Sequence, residues 1–222
     1  MNLVMFGAPG SGKGTQCALL RCEHALFHLS TGDVLRSELG AGSRLGRLAQ
    51  KYIERGDLVP DDVILGIVEA SLDRSEASAG FVLDGFPRTI EQAKALDATL
   101  IARVQPLDAV ICLKIPTLAL VRRLARRRIC PSCGRISSIP PTAEQLALES
   151  VACESDGADL VRRADDEPAA IRHRLDVYLR MTAPVLDYYA DRRMVIKINA
   201  SLSVEDVHSR IQQRLGALVR RG

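Results

Sequence analysis

Short apolar runs that suit buried strands alternate along this chain with longer stretches in which apolar residues return every three or four positions. The first run, residues 3–6, is stopped by a glycine-rich turn, and a helical pattern over residues 15–21 can begin inside that turn. Further strand runs stand at residues 80–84, closed by Gly85 and Pro87, at 107–115, closed by Pro116, and at 194–198. Helical spacing occupies residues 63–72, 90–103, 117–127, 167–189 and 204–219. Strands alternating with helices predict an α/β fold, a parallel sheet flanked by helices on both faces.

Two stretches break the rhythm. Residues 30–59 are helical without a strong strand and carry Gly32, Gly40, Gly42, Gly46 and Gly56, the composition of a small helical insert on flexible joints. Residues 127–163 hold Cys130, Cys133, Cys153, the pair Pro140-Pro141 and many polar side chains, an unusually long loop unless it has structure of its own. They read as a separate lid. The expected organisation is a core built from residues 1–29, 60–126 and 164–222, an insert at 30–59 and a lid at 127–163.

With 222 residues, 47% hydrophobic and 26% charged, the chain suits one well-filled core with small appendages rather than two large domains. A formal net charge of +3 is too mild for a general nucleic-acid binder. No aromatic residues interleave the basic run 122–128, whose plain alternative is a solvated or RNA-binding helix face. No apolar run reaches the roughly 18 residues of a membrane span, and residues 1–6 leave no room for an export leader. A soluble, cytoplasmic protein with no membrane partner is expected, and there six cysteines argue for reduced thiols or metal ligands rather than a disulfide framework.

Gly7-Ala8-Pro9-Gly10-Ser11-Gly12-Lys13-Gly14-Thr15 has the spacing of a phosphate loop, with Gly14 inserted before the hydroxyl of Thr15. Glycines let backbone N–H groups close around phosphate oxygens, the next helix adds its positive end, and Lys13 supplies a mobile charge. The plain alternative is a glycine turn that binds nothing. Such a loop leaves GTPase switch, ATP-driven motor and kinase open, but the Asn-Lys-x-Asp guanine reader of a GTPase is absent from the sequence. Asp84 ends an apolar strand, a position from which a carboxylate holds magnesium through water or caps the next turn.

Cys130-x2-Cys133, 19 residues, then Cys153-x2-Asp156 has the layout of two knuckles gripping one ion. Thiolates and a carboxylate in a tetrahedron suit zinc, and four protein ligands leave no open position, so the role is structural. A lid too small for a large core is a sensible place for such a staple. Glu154 competes as a ligand, and free thiols or a Cys130–Cys133 disulfide are the alternatives. Cys17, Cys22 and Cys112 sit in helix or strand patterns and read as small core residues.

Beyond the phosphate loop, four motifs follow in order: Ser30-Thr31-Gly32-Asp33-Val34-Leu35-Arg36; Gly56-Asp57-Leu58-Val59-Pro60-Asp61; Asp84-Gly85-Phe86-Pro87-Arg88-Thr89 with Gln92; and Arg162-Arg163-Ala164-Asp165-Asp166 with Arg172-His173-Arg174-Leu175. On these the chain resembles the adenylate kinases over essentially its whole length, specifically the long-lid type with a zinc site. The resemblance implies a monomeric enzyme that reversibly moves the γ-phosphoryl group of Mg-ATP to AMP, giving two ADP, with structural Zn²⁺ in the lid.

The resemblance also assigns roles. Gly10, Ser11, Gly12, Lys13, Gly14 and Thr15 hold the ATP phosphates, Arg123 faces the ATP adenine, and Arg127 meets its phosphates. Ile136 and Ser137 stand where many relatives place an aromatic residue by the ATP base, and Leu202 lies in the loop that contacts that base. Thr31 lies by the AMP base and ribose, Arg36 on its phosphate, and Asp57, Leu58 and Val59 at the base pocket. Gly85, Phe86, Pro87 and Arg88 form another wall, with Arg88 on the phosphate and Gln92 on the adenine edge. Arg163 and Arg174 bridge both nucleotides, so Lys13, Asp84, Arg88, Arg127, Arg163 and Arg174 make the catalytic set. Asp165 and Asp166 answer the arginines as lid contacts, either setting their geometry or hydrogen-bonding to the lid end, while Arg122, Arg126 and Arg128 face solvent. An enzyme for UMP, CMP or GMP, and a nucleotide-binding regulator or zinc-dependent nucleic-acid module without turnover, are the rival readings.

Overall fold

The computed structural model describes residues 1–139 and 151–219; Pro140-Pro141 of the expected lid lie outside them. The chain runs β1 (Asn2–Gly7), α1 (Lys13–His24), β2 (Phe27–Ser30), α2 (Thr31–Gly40), α3 (Arg44–Arg55), α4 (Asp61–Leu72), β3 (Phe81–Asp84) and α5 (Ile90–Ala102). It continues through β4 (Ala109–Lys114), α6 (Thr117–Arg126), β5 (Arg127–Ile129), β6 (Ile136–Ser138), α7 (Pro168–Val177), α8 (Val185–Ala190), β7 (Val195–Asn199) and α9 (Val204–Val219). Five strands form one parallel sheet in the order β2-β3-β1-β4-β7, as expected of strands joined by helices.

Period-two alternation in the central strand divides the core between the two sheet faces. Leu3 and Met5 of β1 pack with Cys17 and Leu20 of α1 and Ile211 of α9, while Val4 and Phe6 join Val68 of α4, Leu96 of α5 and Tyr189 of α8. All four β1 side chains are almost wholly buried. Because the sheet is covered on both faces, the carboxyl ends of its strands are left as the place for a ligand.

Helices α2 and α3 form a small helical insert between β2 and α4, with one addition at its edge. Ser30 caps α2 by accepting from Asp33 N, Ser43 caps α3 by accepting from Gly46 N, and Gly56, at φ 79°, ends α3 in the left-handed region. A Cβ on Gly46 would stand 2.2 Å from Glu38 O, so the glycine lets α3 approach α2. The strand β2 was not expected from the sequence. It is four residues long, carries His28 in its middle and lies at a sheet edge, where short strands suffice.

The helix expected over residues 167–189 is interrupted. Pro184 has no N–H to give Arg180, and the backbone widens into a π turn over Tyr178–Thr182, where Ala183 N donates to Tyr178 O at 2.8 Å. The lid carries the antiparallel pair β5–β6, with Ile129 beside Ile136 and bridged to Val161. Its own apolar cluster is small, Cys130, Cys153 and Leu160 with Val151 and Ala158 against them.

Candidate active site

The phosphate loop turns sharply between β1 and α1 because Gly10 (φ 81°) and Gly12 (φ 97°) both enter the left-handed region. Among the described residues no side chain caps α1, so its first N–H groups are open to a ligand's oxygens. Lys13 Nζ donates to Gly7 O (2.9 Å) and Ala8 O (3.2 Å) within its own loop. Desolvation pushes its pKa down to about 8 against the opposing pull of the Asp84 carboxylate. Ser11 Oγ is buried and has no partner among the described residues.

In front of the loop opens a cavity of about 550 Å³. Gly10, Ser11, Gly12, Lys13, Gly14 and Thr15 form one wall, and Asp84, at the end of β3, lies opposite. Arg123 and Arg127 from the end of α6 and the start of β5, Ile136 and Ser137 from β6, and Leu202 before α9 complete it. A second hollow lies under the insert, lined by Thr31, Arg36, Asp57, Leu58, Val59 and Gln92. Phe86 and Pro87 line a third, smaller hollow, although the Phe86 ring belongs to the core. Gly85, Arg88 and Arg174 line all three hollows, and Arg163 faces the large one.

The arginines crowd together where the hollows meet. Burial, then the charge of Arg174, pushes the Arg88 guanidinium down to about 10, and burial with Arg36 and Arg127 does the same to Arg163. Arg163 Nε is buried without a partner among the described residues. Two buried carboxylates fix the others: Asp166 accepts from Arg127 Nε (2.7 Å) and Nη2 (2.6 Å) and from Arg174 Nη1 (3.0 Å), while Asp165 Oδ2 lies 3.1 Å from Arg174. Desolvated like charges gathered in this way call for an anion with several oxygens, and a phosphate chain is the matching shape.

Comparison with known proteins agrees. The adenylate kinase family model matches residues 5–194. The chain is 41% identical to the adenylate kinase of Kosmotoga olearia over 97% of its own length and 99% of that protein's. It is 43% identical to that of Moorella thermoacetica over 97% and 98%, and 41% to that of Methanocella arvoryzae over 98% and 100%. The chain belongs to the adenylate kinase family. Its reaction is phosphoryl transfer between ATP and AMP, giving two ADP.

The second hollow of this adenylate kinase holds its polar groups in fixed orientations. Gln92 Oε1 accepts from Arg88 N (2.7 Å) and Gln92 Nε2 donates to Asp61 Oδ1 (2.6 Å), while Thr89 Oγ1 donates to Asp61 Oδ2 (2.9 Å). Thr31 Oγ1 donates to Gly85 O at 3.1 Å. Sequence reasoning gave Asp61 no role; the available signal was Thr89-x-x-Gln92, a capping-box spacing that asks what else holds the glutamine.

In the lid, donor atoms of Cys130, Cys133, Cys153 and Asp156 all lie within 4.8 Å of one another. Cys133 Sγ is 3.6 Å from Cys153 Sγ, and Cys130 Sγ is 3.3 and 3.4 Å from the Asp156 oxygens. A tetrahedral ion with thiolates at about 2.3 Å and a carboxylate oxygen at about 2.0 Å has edges of about 3.8 and 3.5 Å. The donor set fits a metal. Glu154, the competing ligand in the sequence reading, is 85% exposed in its side chain and turns toward Arg135 outside the cluster.

Three other expectations are corrected. Cys17 and Cys112 are core residues but Cys22 is exposed, because five positions along a helix turn it away from the face that Cys17 buries. Arg128 is buried rather than solvent-facing, donating to Ala125 O (3.1 Å) and Arg127 O (2.9 Å), and Arg126 is half-buried on Ile139 O (2.7 Å). Arg128 serves carbonyls left open where α6 ends and the chain enters β5, and Arg126 serves one just past β6. Arg122 is exposed as expected.

Proposed function

We propose that this adenylate kinase carries ATP in the large cavity and AMP in the hollow beneath α2 and α3, with their phosphates meeting at Arg88 and Arg174. The observation that supports it most is that these two arginines line both hollows. On this reading Mg-ATP is the donor substrate, its phosphates on the loop from Gly10 to Thr15 with Lys13, and Asp84 orients the water shell of its magnesium. Arg36 and Arg88 hold the AMP phosphate. Arg127, Arg163 and Arg174 neutralise the charge that spreads over the transferring group, and no protein nucleophile is needed.

Selection of AMP rests on Gln92. Each end of its amide already makes one bond, which fixes which end is which and leaves one N–H and one lone pair for the paired donor and acceptor of adenine. Ser137 provides no aromatic face for the ATP base, so discrimination among triphosphates is expected to be looser than among monophosphates. The lid cluster holds Zn²⁺, which supplies cross-linking rather than chemistry because the four donors leave no open position. One chain supplies both hollows, which suits a monomer. The reading is of a cytoplasmic enzyme, and among the described residues no helix is long and apolar enough to cross a membrane.

Purified protein given Mg²⁺ and ADP alone is expected to form ATP and AMP in equal amounts. A monophosphate panel with ATP as donor is expected to favour AMP over UMP, CMP and GMP. Folded protein that forms neither product from ADP overturns the reading, and preference for another acceptor overturns the assignment to Gln92.

A further inference from the structure

A second cluster of metal-ligating side chains lies beneath the phosphate loop. The donor atoms of Cys17, His28 and Asp84 lie within 4.8 Å of one another. Their meeting follows from the topology. His28 and Asp84 project from the same face of the sheet, because β2 and β3 pair in register with Ser30 beside Asp84 and His28 beside Val82. Cys17 stands one turn after Lys13 on α1 and packs against that face with Val82.

Two of the three lie outside the nucleotide hollows. Cys17 and His28 line neither nucleotide hollow. His28 is half-buried, yet its Nε2 is fully buried and has no hydrogen-bond partner among the described residues, unusual for a buried polar atom. Asp84 faces the large cavity, so an ion has a route to the site from the nucleotide side. A thiolate, an imidazole and a carboxylate form the mixed donor set of a borderline divalent ion, and sulfur and nitrogen select it over magnesium.

We propose that Cys17, His28 and Asp84 form a second metal site, for a borderline divalent cation such as Zn²⁺, whose occupation switches phosphoryl transfer off. Binding replaces the Cys17 S–H bond with a sulfur–metal bond, and the thiol proton leaves to solvent. The inhibition, though not the coordination, rests on the reading of Asp84 as the carboxylate that orients magnesium's water. Once its oxygen ligates the buried ion, it is no longer available to Mg-ATP. The ion would also set positive charge beside Lys13, which Asp84 otherwise offsets.

Equilibrium dialysis of the full chain against buffered Zn²⁺, without nucleotide, tests the coordination. The wild type is expected to bind one ion more per chain than Cys17→Ala or His28→Gln. The difference is the readout, so occupancy of the lid drops out, and melting curves check that both variants fold. The added ion is expected to inhibit ADP disproportionation at least tenfold in the wild type, to be reversed by a chelator, and to leave both variants uninhibited. A wild type that binds no additional ion, or an additional ion that survives either substitution, overturns the site. An additional ion that binds without inhibiting leaves the coordination standing and overturns the role given to Asp84.

Discussion

Lys13 is held by two carbonyls of its own loop with a pKa pushed down to about 8, an arrangement that a phosphate reverses. In the free protein the ammonium is half deprotonated at about pH 8, whereas an adjacent phosphate favours the charged form and raises the pKa again. ATP binding at about pH 8.5 should therefore take up protons through Lys13, with far less uptake at about pH 6.5, where the free ammonium is already charged. Calorimetric titration in buffers of different ionisation enthalpy reads this directly. Lys13→Met should remove the Lys13-dependent uptake and lower turnover by about 10²–10³-fold, the scale of a lost charge-stabilising donor. Equal uptake in wild type and variant would show that the proton goes elsewhere. The loop itself was legible because its glycines and lysine carry their meaning in spacing. The Asp61 anchor of Gln92 and the turned-in guanidinium of Arg128 were not, because each depends on a partner that the sequence pattern alone does not bring near.

Elements were legible where their pattern was long and obscure where a single residue decided. The strands β1, β3, β4 and β7 follow from apolar runs, but β2 is four residues with a polar His28, and only its pairing with β3 makes it a strand. Likewise the periodicity of residues 167–189 is real, and Pro184 still forces a π turn into it. The insert depends on one such residue, since α2 and α3 touch through Gly46. Gly46→Ala puts a methyl group against the α2 backbone and should destabilise the protein by about 1–3 kcal/mol, the usual scale of overpacking. Because those helices roof the hollow proposed for AMP, KM for AMP should rise while KM for ATP stays near its original value. Steady-state kinetics with each substrate varied checks this, and a parallel rise in both would remove the insert from AMP binding. Asp166 is a junction of another kind, its side chain fully buried between Arg127 and Arg174. Asp166→Ala strands the Arg127 guanidinium, leaves Arg174 with Asp165 alone, and should cost about 3–5 kcal/mol in chemical denaturation.

At the scale of the whole molecule, three parts are held by three kinds of force. The sheet rests on apolar burial against both faces, and the insert rests on helix packing that shares the core through Leu35 and Ala49. Among the described residues the lid has only the small cluster of Cys130, Cys153 and Leu160, so in this reading the metal carries most of its fold. That division predicts a partial loss rather than a general one when zinc is removed. Chelation should abolish amide protection at residues 127–139 and 151–163 while β1 and β4 keep theirs, as local unfolding permits. Transfer should fall steeply, because Arg127 and Arg163 stand at the two ends of the lid and their spacing depends on it. AMP affinity should change little, since the hollow proposed for it is built from the insert and the core. Hydrogen exchange read by mass spectrometry, with AMP binding measured on the same stripped sample, distinguishes the outcomes. Protection lost throughout the sheet would make the metal a global staple, and protection retained in the lid would show that its apolar cluster and strand pair suffice without the ion.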